Sequence, residues 1–463
     1  MNWLLLKNSL AISAAVLAVA TSFGFIAALC VLTLNRPWRW AVTSISIVAL
    51  LLPPFLVTNC WLRYLGANGA WRSFLSFEIY SLPGAVLILA MLYWPIAMLA
   101  TLAAWRRVES TQLEADPALR GWSLIRFLLW PVARPLLALT TVVVFVLALN
   151  NFAVPSILQI KTLPANLWVS YNTSLDAVAA LKAGLPLIVV PLFFLVFAFK
   201  REFQWPFRHQ LAPAAAFRRQ LGPAVRYVSA MVTFALIFFS VCLPLGQLVV
   251  NGGMWAQLPG VIRAAAGAIS NSFLFAAAIA TCCVLLALVC WRARAAGALW
   301  LLCFAPGVFI GMLLILIFNR PGLGIIYGTG AMVIMACAIR YSALGWSAVR
   351  LAMRATDSEL TDAAVLEGAR GFSLFRHVHW PQIAPSAAFA WYTIYLLCLW
   401  DVETLILVLP PGGETLAVRI FNLLHYGHTP QVDSLCVVLL AVAMAPLPFV
   451  GRIATTGIRG PTE

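Results

Sequence analysis

The sequence predicts an all-α polytopic membrane protein built from two tandem (parallel) repeats of transmembrane helices. Hydrophobic residues make up 63% of the chain, charged residues only 10%, and the mean hydropathy is +0.95. Soluble domains carry roughly 25% charged residues, so this composition excludes one large soluble core. Apolar runs of about 20 residues, the length that crosses the hydrocarbon core of a bilayer, recur along the chain. A polar segment that occurs in both halves indicates the duplication.

The apolar runs predict about eleven membrane-spanning helices, five in the first half and six in the second. Helices are favoured over a β-barrel because the runs are continuously apolar, whereas barrel strands alternate between apolar and polar residues. The predicted spans are residues 10–33, 40–60, 83–105, 132–155, 183–199, 227–250, 270–291, 296–318, 325–347, 384–409 and 434–451.

The repeated polar segment precedes a span in each half. Residues 120–126 read Arg-Gly-Trp-Ser-Leu-Ile-Arg, residues 370–376 read Arg-Gly-Phe-Ser-Leu-Phe-Arg, and Trp-Pro follows both after the same interval. A bilayer does not require such a basic segment twice, so each half is predicted to present one loop to a shared partner. Weaker echoes pair Asn8-Ser9 with Asn271-Ser272, and Asn150-Asn151 with Trp400-Asp401.

The basic residues predict the orientation. If the two repeated loops face the cytoplasm and the loops alternate sides, 22 of the 30 Lys and Arg are cytoplasmic, among them Arg340. The positive-inside rule expects this asymmetry, which places the N-terminus outside and the C-terminus inside. The net charge of +15 is then a signal of topology. Because the charges are dispersed over loops rather than gathered on one basic and aromatic face, no nucleic-acid partner is expected.

The repeat also predicts the division of the chain. A segment with three prolines, an alanine run and six basic residues separates the two halves, and a cytoplasmic linker is favoured over a regulatory site. The predicted segments are a first half at 1–199 with its loop at 108–131, a linker at 200–226, and a second half at 227–463 with its loop at 350–383.

The second loop contains a predicted helix. Thr356 and Glu359 have the spacing of a capping box, which satisfies the first free amides of a helix. Gly368 follows where a helix commonly ends through a left-handed residue. A second helical stretch, 373–379, leads to the next span. An amphipathic loop lying on the membrane would explain these helices, but not the recurrence of the segment, so docking to a partner is favoured. One helical face carries Leu360, Ala363, Ala364 and Glu367.

These residues resemble a known motif. Asp362-Ala363-Ala364, three residues, Gly368-Ala369 and later Trp380-Pro381 are similar to the EAA loop of permease subunits of binding-protein-dependent ABC importers. The aspartate replaces a glutamate of that pattern and the tryptophan replaces a leucine. The resemblance implies an ABC ATPase dimer as cytoplasmic partner, an extracytoplasmic solute-binding protein, and a multi-pass location in the bacterial inner membrane. It implies coupling roles for Asp362, Ala363, Ala364, Glu367, Gly368, Ala369, Arg370, Gly371, Phe372 and Pro381, and for Arg120, Gly121, Trp122 and Pro131 of the first half.

The two fused halves and the segment 410–420 further resemble permeases of the ferric iron and thiamine type. The first loop departs from the pattern, because Gln112-Leu113-Glu114 stands where the acidic and alanine residues stand in the second, and Ala118 replaces the glycine. Pro117 would also end the preceding helix early. The two halves are therefore expected to grip their ATPase pair unequally.

Polar residues near the membrane suggest a pathway. Asp401 and Glu403 occur within the tenth predicted span, and Asn150 and Asn151 hold the matching positions of the first half. Ionisable side chains at that depth are costly and usually face a cavity or a partner. On a helix, residues two apart point to opposite sides, so only Asp401 is expected to face a central axis. The alternative is that all four lie solvated at the outer interface.

No residues predict covalent chemistry, a metal site or a cofactor. The ten cysteines mostly lie in apolar runs without a CxxC pair, the histidines lack a carboxylate cluster, and no phosphate-binding glycine loop occurs. The predicted function is a permease that moves a small solute, either ferric iron, another cation or thiamine, with ATP hydrolysed by a separate subunit. The alternatives are a secondary transporter that couples intramembrane carboxylates to ions and, less favoured, a polytopic membrane enzyme.

Overall fold

The computed structural model describes residues 3–108, 113, 119–199, 213–426 and 429–456. Across these ranges the regular secondary structure is helical, with no strand. The chain divides into two compact units, one formed by Met1–Thr173 with Ala183–Gly252, the other by Ser174–Lys182 with Gly253–Glu463. The helix from Ala214 lies in the first of these units, and the predicted domain bounds, with a linker at 200–226, stay a prediction.

The first unit is built around three packed helices. The N-terminal helix packs against two later spans and against the helix that begins at Ala214. Close approach is possible because Gly24 faces the fourth helix, where a Cβ atom would lie 2.5 Å from the Cβ of Ala97. The helices are α1 (Trp3–Thr33), α2 (Arg36–Leu51), α3 (Pro54–Leu65), α4 (Leu82–Trp105), α5 (Trp122–Leu124), α6 (Trp130–Leu149), α7 (Ala153–Ile157), α8 (Leu163–Ser174), α9 (Ala177–Gly184, across the unit boundary), α10 (Pro186–Phe199), α11 (Ala214–Ile237) and α12 (Leu243–Val250).

The second unit repeats the three-helix centre. Here α14, α17 and α20 pack pairwise, as α1, α4 and α6 do in the first unit. The helices are α13 (Gly252–Ala264), α14 (Ala266–Cys290), α15 (Leu299–Cys303), α16 (Gly307–Phe318), α17 (Gly330–Arg354), α18 (Ser358–Leu366), α19 (Gly371–Leu374), α20 (Trp380–Trp400), α21 (Leu405–Val408), α22 (Leu416–Tyr426), α23 (Thr429–Met444) and α24 (Leu447–Thr456).

The predicted all-helical membrane class is confirmed. In the part of the chain that the structure describes, nine helices are long and apolar enough to span a membrane, and two bent helix pairs raise the number to as many as eleven. The spans predicted at 40–60 and 296–318 correspond to these two bent pairs, in which Pro53 and Pro306 precede new helices after turns of 90° and 108°. The orientation of the termini stays a prediction.

Candidate coupling loops and a buried polar network

The second loop contains the expected helix, but Asp357 begins it. Its Oδ1 accepts a hydrogen bond from the N–H of Glu359 at 2.9 Å, and its own N–H donates to Oε1 of Gln382 at 2.8 Å. The capping box predicted from Thr356 is therefore wrong, because Asp357 accepts the Glu359 N–H that Thr356 was expected to accept, and the Thr356 hydroxyl donates to the Met353 carbonyl. The start of α18 is consequently tied to the first turns of α20.

Gly368 ends α18 in the predicted left-handed conformation, with φ of +91°. The N–H groups of Gly368 and Ala369 donate to Val365 and Ala364 carbonyl oxygens at 3.0 and 2.9 Å, which satisfies the last turn of the helix. Steric crowding does not restrict the residue at this position, since a Cβ there would meet no described atom within 4 Å. The backbone angle alone makes glycine necessary.

The candidate coupling residues of this loop lie at the surface of the second unit. α18 has no buried residue, and the side chains of Leu366 and Phe372 are 89% and 75% exposed. These two apolar side chains are therefore mostly unpacked against the rest of the described chain. None of the residues from Asp362 to Phe372 is buried, and Pro381 is also exposed.

The two loops end in the same backbone structure. Gly121 and Gly371 have φ of +56° and +53°, and each precedes a short helical turn and then a π-helical turn, Ile125–Leu129 or Phe375–His379. The π turn leads into Trp-Pro, where a proline without an N–H cannot continue the regular ladder. Each loop therefore runs continuously into its span: the helical stretch predicted at 373–379 is present, and the span predicted to begin at 384 is continuous with it.

The first loop is described only in part. Gln112, Glu114, Pro117 and Ala118 lie outside the described residues. The side chain of Trp122 is 71% exposed, Arg120 and Pro131 are also exposed, and Ser123 Oγ donates to the Arg120 carbonyl at 2.8 Å. The aromatic residue after the repeated glycine is thus exposed in both halves.

A buried ionic network lies inside the second unit. The guanidinium of Arg340 donates through Nη1 to Oδ2 of Asp401 at 3.1 Å and through Nη2 to Oε2 of Glu403 at 2.9 Å. Their side chains are 13%, 1% and 11% exposed. Arg340 Nη1 also donates to Thr404 Oγ1 at 2.8 Å, and the hydroxyl of Tyr341 donates to Asp401 at 2.9 Å. Burial is tolerated because each charge has an opposite charge and hydrogen bonds.

This network corrects two predictions. Arg340 does not lie in a cytoplasmic loop, because it occupies the interior of α17. Asp401 and Glu403 do not lie within a helix, because α20 ends at Trp400 and Asp401 has extended backbone angles. The helical argument that only one of the two carboxylates faces inward fails for this reason, and both contact the same guanidinium. A pathway role for either residue stays a prediction.

The predicted correspondence between Asn151 and Asp401 has a structural basis. Oδ1 of Asn151 accepts from the N–H of Val154 at 3.0 Å, and Oδ1 of Asp401 accepts from the N–H of Thr404 at 2.9 Å. Both side chains therefore fix the turn that follows the repeated span. Asn151 also donates to the Tyr93 hydroxyl at 3.3 Å, and Asn150 is buried beside it.

The Asn-Ser pair that recurs in the two halves, for which no role was predicted, makes the same kind of contact in both units. Ser9 Oγ accepts from the N–H of Leu163 at 2.9 Å, and Ser272 Oγ accepts from the N–H of Leu416 at 2.8 Å. The preceding asparagines donate to nearby carbonyls, Asn8 to Lys161 and Asn271 to Gly412. Each pair thus holds the start of a short helix, α8 or α22.

Sequence reasoning missed Arg340, although a signal was present: an arginine inside an apolar run needs a buried partner. Thr404 and Tyr341 gave no such signal. Within the described ranges, no group of three or more His, Cys, Asp or Glu residues is placed to hold a metal ion.

Comparison with known proteins finds that this chain is similar to transport permeases. It is 22% identical, over 96% of its length and 70% of the relative's, to the ferric transport system permease protein FbpB of Actinobacillus pleuropneumoniae. It is 24% identical to FbpB 1 of Haemophilus influenzae, over 90% of this chain and 71% of that one. A 2-aminoethylphosphonate transport system permease protein, PhnV of Salmonella paratyphi A, is 26% identical over 50% of this chain and 95% of its own length. No protein-family model matches the chain.

These relatives confirm the resemblance to permeases of binding-protein-dependent ABC importers, and they support it over an ion-coupled carrier. They are transport permeases rather than enzymes, as the sequence predicts for this chain. Two relatives match nearly the whole chain, while one shorter relative matches half of it, as expected for two fused permease halves. With its many apolar helices, the chain is a multi-pass membrane protein.

Proposed function

We propose that this chain, a fused two-half permease, is the membrane-spanning subunit of an ATP-driven importer in the bacterial inner membrane. Its two loops contact a cytoplasmic ATPase dimer, and an extracytoplasmic binding protein delivers the solute. The residues from Asp362 to Phe372 transmit ATP hydrolysis to α17 and α20, between which their loop lies. The observation that carries this proposal is the exposed helix α18, which has no buried residue yet is fixed at both ends.

The left-handed turn at Gly368 provides the test of coupling. The variant Gly368→Val places a β-branched side chain at a φ of +91°, which costs roughly 1–3 kcal/mol and reorients the end of α18. Solute uptake and permease-stimulated ATP hydrolysis are both expected to fall about tenfold or more, while the protein still inserts into the membrane. Uptake in cells and ATPase rates in proteoliposomes measure the two effects.

A matched control separates coupling from stability. Gly246 lies in α12, where a Cβ would also meet no atom within 4 Å and the backbone is helical, so Gly246→Val should leave both activities near wild type. Normal uptake in the Gly368→Val variant would show that the loop does not couple transport to ATP hydrolysis.

Ferric iron is the first substrate to test. The two relatives that match most of the chain are ferric transport permeases, while others are named for 2-aminoethylphosphonate and for spermidine/putrescine. We propose a small hydrophilic solute, with ferric iron ahead of other cations and thiamine. Uptake of labelled iron by cells that contain or lack the chain measures this, and equal uptake by both would exclude iron.

The ion-coupled carrier is not favoured by the buried carboxylates. Asp401 and Glu403 both accept hydrogen bonds from Arg340. A coupling carboxylate must exchange its proton or ion with a pathway, and a persistent arginine pair opposes that exchange. Asp401, Glu403, Asn150 and Asn151 stay candidates for the pathway, with substituted-cysteine labelling by a water-soluble reagent as their test.

A further inference from the structure

Within the described residues, the glycine that begins the repeated segment is hydrogen-bonded to another helix in the first loop, and no such bond is present in the second loop. The N–H of Gly121 donates to the carbonyl of Gln220 at 2.6 Å, and the Gln220 side-chain amide donates to the Leu113 carbonyl. Both parts of the first loop that the structure describes are thereby bonded to the beginning of α11. The equivalent Gly371 is open, since a Cβ there would meet no described atom within 4 Å.

This covering segment is Ala214–Leu221, here named the cap helix. It is a separate piece of α11, because Gly222 has non-helical angles (φ 74°, ψ 170°) that break the helix before the span begins. The side chains of Phe217 and Leu221 are 0% and 1% exposed, and they lie four residues apart on one helical face. A hydrogen bond from Arg218 to Oδ1 of Asn35 also holds the segment.

Burial at the first loop matches this arrangement. Leu113 is 1% exposed and Leu124 is fully buried, and α11 packs against α5, the helical turn that follows Gly121. In the second loop the corresponding backbone and α18 are exposed, with Leu366 at the surface. The described part of the first loop therefore contacts a helix of its own unit, whereas no described helix covers α18 of the second loop in this way.

We propose that the cap helix takes up part of the docking surface of the first coupling loop, so that the ATPase dimer is held mainly by α18 of the second half. This inference rests on the proposed function, because it assigns the partner of the bare loop. A coupling helix is expected to give up water-exposed apolar surface to its ATPase subunit. At the first loop the cap helix is already hydrogen-bonded to Gly121 and Leu113 within the chain, and Leu113 and Leu124 are buried, which leaves less apolar surface for a partner.

Hydrogen exchange tests the cap without any ATPase. In the purified chain, the amide of Gly121 is expected to exchange roughly tenfold or more slowly than that of Gly371, because only the first is hydrogen-bonded under a helix. The double variant Phe217→Ser/Leu221→Ser removes the apolar face of the cap, and the two exchange rates should converge. Equal rates in the unaltered chain would overturn the cap.

Retention of the ATPase tests the docking claim. The variant Leu366→Asp charges the bare loop and should reduce about tenfold the amount of ATPase subunit that copurifies from native membranes. Opening the cap in the same chain with Phe217→Ser/Leu221→Ser should then restore part of that amount by exposing the first loop. Arg219→Glu, on the exposed face of the cap, is the matched control and should restore nothing.

The outcomes distinguish this inference from the proposed function. If slow exchange at Gly121 is present but opening the cap restores no ATPase, the cap does not limit docking and the inference fails. If no ATPase subunit accompanies the unaltered chain, the proposed function fails instead, while the exchange result still decides whether the cap exists.

Discussion

The Arg340 guanidinium, which lies inside α17, links that helix to two carboxylates of the second unit. Arg340 joins α17 to the residues just after α20, and these two helices flank the loop that contains α18. Burying these charges costs desolvation free energy, so the network need not add net stability. Breaking it would leave a buried charge without a partner, which favours the geometry in which all the charges are paired. Asp401 serves twice, since it also fixes the turn before α21 through the N–H of Thr404.

Removing only the arginine is expected to be more harmful than removing the whole charge set. Arg340→Met leaves two buried carboxylates without their cation and should destabilise the second unit by about 3–5 kcal/mol. Arg340→Met/Asp401→Asn/Glu403→Gln should recover most of that loss, because no unpaired charge remains. The midpoint of heat denaturation in detergent measures both, with exposed Arg320→Gln as the control. A triple variant no more stable than the single one would contradict a charge-based role.

Two candidate spans are bent pairs of helices: α2 with α3, and the short helical segment ending at Cys303 with α16. In the second pair, α16 begins at Gly307 directly against the ionic network. A Cβ on Gly307 would lie 2.4 Å from Arg340 Nη1 and from Thr404 Oγ1. The absence of a side chain at that position therefore allows the bend and the network to be adjacent.

The variant Gly307→Ala tests this contact. The added methyl group must displace α16 or separate Arg340 from Thr404, and overpacking of this kind costs about 1–3 kcal/mol. A lower denaturation midpoint in detergent is expected, whereas Gly246→Ala, at a position with open space, should change it little. An unchanged midpoint for Gly307→Ala would mean that the bend does not depend on this close approach.

The repeated serine caps predict matching effects in the two units. Ser9→Ala and Ser272→Ala each remove the acceptor of the first N–H of α8 or α22, a loss of about 1 kcal/mol. Faster amide exchange at Leu163 and at Leu416, respectively, is the direct readout. Ser270→Ala is the control, because that hydroxyl donates to the Gly267 carbonyl of its own helix. Faster amide exchange in only one of the two units would show that the two serines do not have the same structural role.

Over the whole molecule, two copies of one design have diverged at their loops. The spans, the left-handed glycines Gly121 and Gly371 and the π turns recur, while Asp362 within α18 and Gly368 after it correspond to Gln112 and Ala118 in the first copy. The second copy has an exposed helix α18, and the proposed cap helix contacts the described part of the first loop.

Matched charge changes in the two loops should therefore differ in severity. Asp362→Lys alters the exposed helix and is expected to reduce uptake about tenfold, whereas Gln112→Lys should reduce it by less than about twofold. Solute uptake at equal membrane levels of the two variants measures the difference. Equal losses would show that both loops dock with the same strength.

The sequence by itself determined the membrane class, the duplication and the left-handed end of the helix in the second loop. These follow from local or periodic features: apolar length sets a span, a recurring segment sets a repeat, and glycine after a capped helix sets a left-handed end at Gly368. These features do not depend on contacts between residues far apart in the sequence, and the structure contains them with shifted boundaries.

Only the tertiary structure decided which side chains meet. Arg340 lies 61 residues from Asp401, and Gln220 lies 107 residues from Leu113, so neither contact leaves a local pattern in the sequence. The bends at Pro53 and Pro306 were not predictable either, because an apolar run shows that a segment is hydrophobic but not the direction in which its helix runs. An isolated charge in an apolar run signals that a partner exists, and packing alone identifies that partner.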